Sequence, residues 1–144
     1  MKSSKNGDRR GLDRMIILAD YNLNRQAILL SGSLLNGGWL DLVSIKILTF
    51  ANLDLSSDLS DRLVWQFVQT KGMMLITANR NAKGEDSLEK VMREENTPNC
   101  LPIITIGSSE RVNEFDYRER CIERLIDVVI DVEYYKGAGR IFIP

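Results

Sequence analysis

The stretch MIILAD, Met15–Asp20, consists of five apolar residues followed by an acid. A short apolar run without polar alternation is typical of a strand that is buried on both faces, as in the parallel sheets of α/β proteins. The acid marks the point where such a strand gives way to a loop. MIILAD therefore predicts the first strand of a parallel sheet, with Asp20 at its carboxyl end.

Helical and strand patterns alternate along the rest of the chain. After the first strand, Leu23, Ala27, Leu30 and Leu34 recur at helical spacing until Gly37-Gly38 ends the helix. Later strands are predicted at 42–50, 73–77, 101–107 and 140–143, and later helices at 61–71, 87–96 and 116–135. The order β-α-β-α-β-α-β-α-β predicts the α/β class, as a three-layer α/β/α sandwich around a mostly parallel sheet of about five strands.

Polar residues before each later helix give candidate starting points. Ser60 or Asp58 is expected to cap the second helix, and Asp86 with Glu89 forms a capping-box pattern before the third. The last helix is expected to begin with a cap at Asp116, to bury Cys121, Leu125, Val128 and Val132 along one face, and to end before Gly137. The second helix is expected to bury the stripe Leu63, Val64, Phe67 and Val68.

Length and composition indicate one globular domain. The chain has 144 residues, of which 44% are hydrophobic and 27% charged. We expect residues 1–14 to be a flexible basic leader and residues 15–144 to be a single α/β domain. No apolar run approaches the roughly 20 residues of a membrane span, and no apolar stretch follows the basic N-terminus as in a secretory signal. These features predict a cytoplasmic protein without membrane association, in which Cys100 and Cys121 stay reduced.

The charge distribution restricts the possible partners and chemistry. The chain has 19 basic and 20 acidic residues, of which residues 1–14 contain five basic and two acidic ones. Residues 15–144 therefore contain 14 basic and 18 acidic residues, which gives this part of the chain a net charge of −4. An acidic body is a poor match for tight, sequence-blind binding of nucleic acid. The chain has no histidine, which excludes Ser-His and Cys-His nucleophiles and histidine metal sites.

Polar side chains follow the first and third strands where ligands of open parallel sheets bind. Asp20 and Asn22 follow the first strand, and Asp61 is the first residue of the helix that follows the second strand. The third strand ends in LITANRN, which places Thr77, Asn79, Arg80 and Asn81 at the same edge. If the first and third strands are neighbours, these groups converge in one crevice.

Carboxylates without histidine favour Mg²⁺ or Mn²⁺, which take oxygen ligands. Asp20 and Asp61 are the best-placed candidates, and Asp86 is the third metal ligand that we expect. Such an ion activates water and stabilises the charge on a phosphodiester. The expected chemistry is therefore metal-dependent hydrolysis at a phosphate.

Three motifs resemble a known family when they are taken in order. PIN-like nucleases, in particular a small bacterial branch, have VDENL at the first strand, SD opening a later helix and THDRDF at the third strand. This chain has ADYNL at 19–23, SD at Ser60-Asp61 and TANRNA at 77–82, and the similarity extends from Met15 to Ile106.

The resemblance implies a compact PIN-like fold and metal-dependent cleavage of RNA, often in toxin–antitoxin pairs. It assigns catalytic positions to Asp20, Asp61 and Asn79, and substrate-binding positions to Asn22, Thr77, Arg80 and Asn81. RNA and an antitoxin-like protein are then the expected partners. However, asparagines occupy positions 79 and 81 where the family has aspartates, which removes two negative charges from a site for a dication. The enzyme assignment therefore stays open, and weakened or lost cleavage is expected.

Other interpretations remain open. The same PIN-like fold could serve as a non-catalytic module that binds protein or RNA. IILADYN followed by LIT also resembles the haloacid-dehalogenase phosphatases, but Asn22 stands where their second aspartate is expected. Tyr134 and Tyr135 near the end of the last helix are candidates for a homodimer contact.

Overall fold

A sheet of five parallel strands forms the centre of the protein. The computed structural model describes residues 14–79, 84 and 87–144. The strands are β1 (Met15–Ala19), β2 (Ile45–Leu48), β3 (Met74–Thr77), β4 (Ile103–Ile106) and β5 (Arg140–Ile143). Their spatial order is β2-β1-β3-β4-β5, and every neighbouring pair is parallel. The predicted α/β class and five-stranded sheet are confirmed, although β2 is shorter than the predicted 42–50.

Helices connect the strands and cover both faces of the sheet. They are α1 (Asn24–Asn36), α2 (Asp61–Lys71), α3 (Leu88–Glu95), α4 (Phe115–Ile130) and the short α5 (Val132–Tyr135). Four 3₁₀ turns, at Tyr21–Leu23, Trp39–Asp41, Ala51–Leu53 and Glu110–Asn113, join these elements within the described residues. None of the helices in the described ranges has the length and apolar character needed to cross a membrane.

Alternating strand residues divide the core into two layers. On one face, α1 and α4 pack on Ile17, Ile76 and Ile104. On the other face, α2 and α3 pack on Leu18 and Leu75. Burial on both faces explains why the strands read as continuous apolar runs, and it confirms the three-layer sandwich.

The placement of α4 gives the last crossover an unusual hand. The crossover β1-α1-β2 and the crossover β4-α4-β5 use the same face but move in opposite directions along the sheet. They therefore have opposite hands. β2-α2-β3 and β3-α3-β4 share the hand of the first crossover, so β4-α4-β5 has the opposite hand to the other three. As a consequence, the chain after β4 runs back towards α1, past the carboxyl end of β3.

The predicted ends of α2 are confirmed. Ser60 is the N-cap, and its hydroxyl accepts a hydrogen bond of 3.2 Å from the backbone N–H of Leu63. At the other end, Gly72 has φ 71°. This left-handed conformation strains any residue with a Cβ, which explains the glycine.

Two other predicted helix starts are wrong. The N-cap of α3 is Ser87, whose hydroxyl accepts from the N–H of Lys90 at 3.3 Å, and not Asp86. Helix α4 begins one residue before Asp116, after Glu114, whose side chain makes no capping hydrogen bond. At α3, Asp86 and Ser87 are adjacent and both residue types cap helices well, so the sequence does not distinguish between them.

Two details of the buried helical faces also differ from prediction. Leu63 is 53% exposed, because the buried face of α2 turns towards Trp65, which is 4% exposed. The last helix ends at Ile130, since Asp131 leaves helical geometry with ψ 37°. Val132 therefore belongs to the separate turn α5 and is only partly buried.

The two cysteines are free thiols that differ in accessibility. Cys121 is fully buried under α1, and burial raises the pKa of its thiol to about 11, whereas Cys100 is partly exposed. We expect a thiol-specific reagent at pH 8 to modify Cys100 alone in the native protein, and both cysteines after unfolding, because the thiolate is the reactive form. Mass spectrometry of the labelled protein measures this, and equal labelling of both native thiols would contradict the buried position of Cys121.

Candidate functional site

The carboxyl ends of β1 and β3 form a switch point in the sheet. These strands are neighbours, and the chain leaves β1 towards β2 but continues from β3 towards β4, in the opposite direction. The N–H of Asp20 donates to the carbonyl of Ile76 at 2.9 Å, so the pairing of the two strands continues to the edge. The condition under which the polar residues converge is therefore met.

Asp20 is fixed by a hydrogen bond at each carboxylate oxygen. Its Oδ1 accepts from the N–H of Tyr21 at 2.8 Å, and its Oδ2 accepts from the hydroxyl of Thr77 at 2.7 Å. Thr77 is completely buried at the end of β3, and its hydroxyl also accepts from the N–H of Asn79 at 2.9 Å. Thr77 thus links the acid of the first strand to the segment after the third.

A second acid joins the same network through an amide. Asp61 is the first residue of α2, and its Oδ2 accepts a hydrogen bond of 3.0 Å from Nδ2 of Asn79. Asp20, Thr77, Asn79 and Asp61 therefore form one chain of hydrogen bonds. Asn79 donates to Asp61 at the position where the family resemblance expects a carboxylate.

A crevice of about 370 Å³ opens beside this network. We call it the switch-point crevice, and its lining residues are Asp20, Asn22, Leu23, Ala78, Asn79 and Ser109. Ser109 reaches it because the segment after β4 runs back towards α1, where Gln26 donates to its carbonyl at 3.2 Å. Polar side chains and backbone groups thus surround a small opening at the edge of the sheet.

A buried arginine supports the crevice from the other side of β3. The guanidinium of Arg140 donates from Nη1 to the carbonyl of Asn79 at 2.9 Å and to the hydroxyl of Thr105 at 2.6 Å. Its Nε donates to Glu89 at 2.9 Å. Its Nη2 lies 2.7 Å from the same oxygen of Glu89 but is not aligned for a hydrogen bond, so this contact is an ion pair only. The side chain of Arg140 is 10% exposed, so this cation lies inside the protein.

The structure brings together five of the eight predicted site residues. Asp20, Thr77, Asn79 and Asp61 share the network, and Asn22 is an exposed residue of the crevice wall. Asn22 lies within the 3₁₀ turn Tyr21–Leu23, which Asp20 caps, and the N-cap of α1 is Leu23. The remaining three, Arg80, Asn81 and Asp86, lie outside the described residues.

The sequence did not point to Arg140, Thr105 or Ser109. Arg140 is the first residue of the short strand RIFI, and an arginine at the end of a strand is usually exposed. Its role depends on β5 lying next to β4, which a strand order supplies and a residue pattern does not. Ser109 could have been found, since it follows β4 at the same edge of the sheet.

The described residues fit a divalent ion poorly. They contain no group of three or more Asp, Glu or Cys side chains placed to hold a metal. Asp20 and Asp61 supply two carboxylates, but Thr77 and Asn79 direct hydrogen-bond donors at one oxygen of each. A dication would have to share these oxygens with both donors, and only two carboxylates of the described residues are at hand, so we assign no chemical step to a metal.

Comparisons of the chain with protein-family models, with curated proteins and with solved structures found no match.

Proposed function

We propose that this protein is a PIN-like domain that binds RNA at the switch-point crevice, and that its metal-dependent cleavage of RNA is weakened or lost. The proposal combines the motif resemblance with one structural observation. The amide of Asn79 donates to Asp61 at the centre of the network, where cleavage would require a third carboxylate.

The loss of charge at position 79 supports weak cleavage. Mg²⁺ and Mn²⁺ are held by anionic oxygens, and an amide supplies no charge to offset the cost of stripping water from the ion. Asn79 also occupies one acceptor position of Asp61 with a hydrogen bond. The two acids of the described site are therefore linked by neutral donors, an arrangement that supports binding rather than cleavage.

The crevice wall supports a polar ligand such as RNA. Asn22, Asn79 and Ser109 offer amide and hydroxyl groups, which can donate to phosphate oxygens and accept from ribose hydroxyls. Arg25 is exposed one turn further along α1 and donates from Nε to Asn113 at 3.0 Å. These groups match the sugar-phosphate backbone better than an apolar small molecule.

The first test is incubation of the purified protein with a mixed pool of single-stranded and structured RNA in Mn²⁺. We expect the wild type to degrade RNA no faster than an Asp20→Ala variant prepared identically, because the described part of the site has only two carboxylates, Asp20 and Asp61. Gel electrophoresis of the pool over time measures the rate.

The Asp20→Ala control separates the protein's own activity from traces of contaminating ribonuclease. Rapid cleavage by the wild type that disappears in Asp20→Ala would contradict the proposed loss of catalysis. It would mean that Asp20 and Asp61, with ligands outside the described residues, hold the ion in spite of Asn79.

A further inference from the structure

An exposed aromatic ring stands immediately beside the network. Tyr21 follows Asp20 directly and is 47% exposed. It is absent from the wall of the switch-point crevice, so its ring lies outside that opening. Its N–H donates to Asp20 at 2.8 Å, which fixes the backbone of Tyr21 relative to the acid. The backbone that carries the ring is thus held next to the acid.

A second aromatic ring supports Tyr21 from the interior. Phe50, two residues after β2, is 4% exposed and belongs to the core on the α2 side. The two ring centroids are 6.1 Å apart with an interplanar angle of 57°, an ordinary tilted aromatic pair. Because Phe50 contacts one side of Tyr21, the rest of the ring is presented to solvent on a rigid base.

Two arginines lie where α1 meets the 3₁₀ turn Glu110–Asn113. Arg25 of α1 donates to Asn113 of that turn, and Arg111 is half exposed and ion-paired with Glu114 at 3.2 Å. Arg111 also lies 4.6 Å from the centroid of the Tyr117 ring, which holds it against the body of the protein. Tyr21 and Arg25 thus lie close along the chain on either side of Asn22, which lines the crevice.

We propose that Tyr21 is a stacking platform for one base of a single-stranded RNA whose adjoining phosphates face the crevice and Arg25. Stacking on an aromatic side chain tolerates every base, because every base has a π-face. It adds affinity that the net charge of −4 on residues 15–144 does not supply. The inference deepens the proposed function, since it names the feature of the RNA that the site recognises.

The test is fluorescence anisotropy of a short labelled oligouridylate in EDTA, which excludes cleavage. We expect Tyr21→Ala to weaken binding by about 5- to 150-fold, since stacking on an aromatic side chain is worth about 1–3 kcal/mol per base. Tyr21→Phe keeps the ring and should bind within about twofold of the wild type. Tyr134→Ala, which removes a tyrosine that is 77% exposed on α5, is the matched control and should leave binding unchanged.

Tyr21→Leu covers Phe50 with apolar atoms but offers no flat ring. It should keep the wild-type melting temperature and bind as weakly as Tyr21→Ala, so that lost stacking is distinguished from lost folding. The affinity should fall only gently with salt, with a logarithmic slope of about −1.4 for two phosphate contacts on a single strand.

Wild-type binding that survives in Tyr21→Ala and Tyr21→Leu would overturn the platform, and so would a wild type that does not bind the oligouridylate at all. The outcome is separate from that of the cleavage assay. Efficient Asp20-dependent cleavage combined with Tyr21-dependent binding would refute the loss of catalysis and leave the platform standing.

Discussion

Asn79→Asp should make the melting temperature of the protein depend on Mn²⁺. The change replaces the donor that contacts Asp61 at 3.0 Å with a second carboxylate. Two like charges at that separation destabilise the site by about 1–2 kcal/mol, which lowers the melting temperature in EDTA by roughly 3–8 °C. A dication between the carboxylates removes the repulsion, so Mn²⁺ should restore the melting temperature and raise the affinity for the ion at least about tenfold.

The measurement is a thermal melt of each variant in EDTA and in millimolar Mn²⁺, followed by the RNA cleavage assay. Asn79→Ala is the matched control, because it removes the same hydrogen bond without adding charge. It should be destabilised in both buffers and should not respond to Mn²⁺. If Asn79→Asp also fails to respond, Asp20 and Asp61 do not form the remains of a metal site, and the resemblance to nucleases loses its chemical support.

Local patterns determine the class of the fold but leave its handedness open. Continuous apolar runs such as Met15–Ala19 are long enough to identify strands, and helices between them favour parallel pairing. Nothing in the stretch 107–140 distinguishes a helix that crosses on one face of the sheet from a helix that crosses on the other. Packing against α1 through Cys121 and Leu125 decides the matter, and that contact joins residues far apart in the chain.

The same limit applies to the candidate site. Asp20, Asn22, Thr77 and Asn79 could be predicted because each lies at the end of a strand or just after it. Their partners could not be predicted, because a hydrogen bond such as Thr77 to Asp20 depends on the rotamers of two side chains 57 positions apart. The strand order made the difference: had β2 stood between β1 and β3, the same residues would not have met.

Arg140→Met should be the most destabilising single change near the site. The substitution keeps much of the side-chain volume but removes donors from Glu89, Thr105 and the carbonyl of Asn79. Breaking a buried ion pair costs about 3–5 kcal/mol, and Glu89 is 37% exposed, which allows water to offset part of that. We expect a loss of about 2–4 kcal/mol in the free energy of unfolding, measured by urea denaturation.

The control is Arg93→Met, which removes an exposed arginine of α3 one turn beyond Glu89. It should change the free energy of unfolding by less than about 0.5 kcal/mol.

The double variant of Arg140→Met and Asn79→Ala tests whether Arg140 also positions the site. Because Arg140 holds the backbone from which the Asn79 side chain reaches Asp61, the two losses should fall short of additivity by about 1 kcal/mol. Strict additivity would mean that Arg140 stabilises the β5 edge alone, and that the position of the Asn79 amide is set by Thr77 without its help.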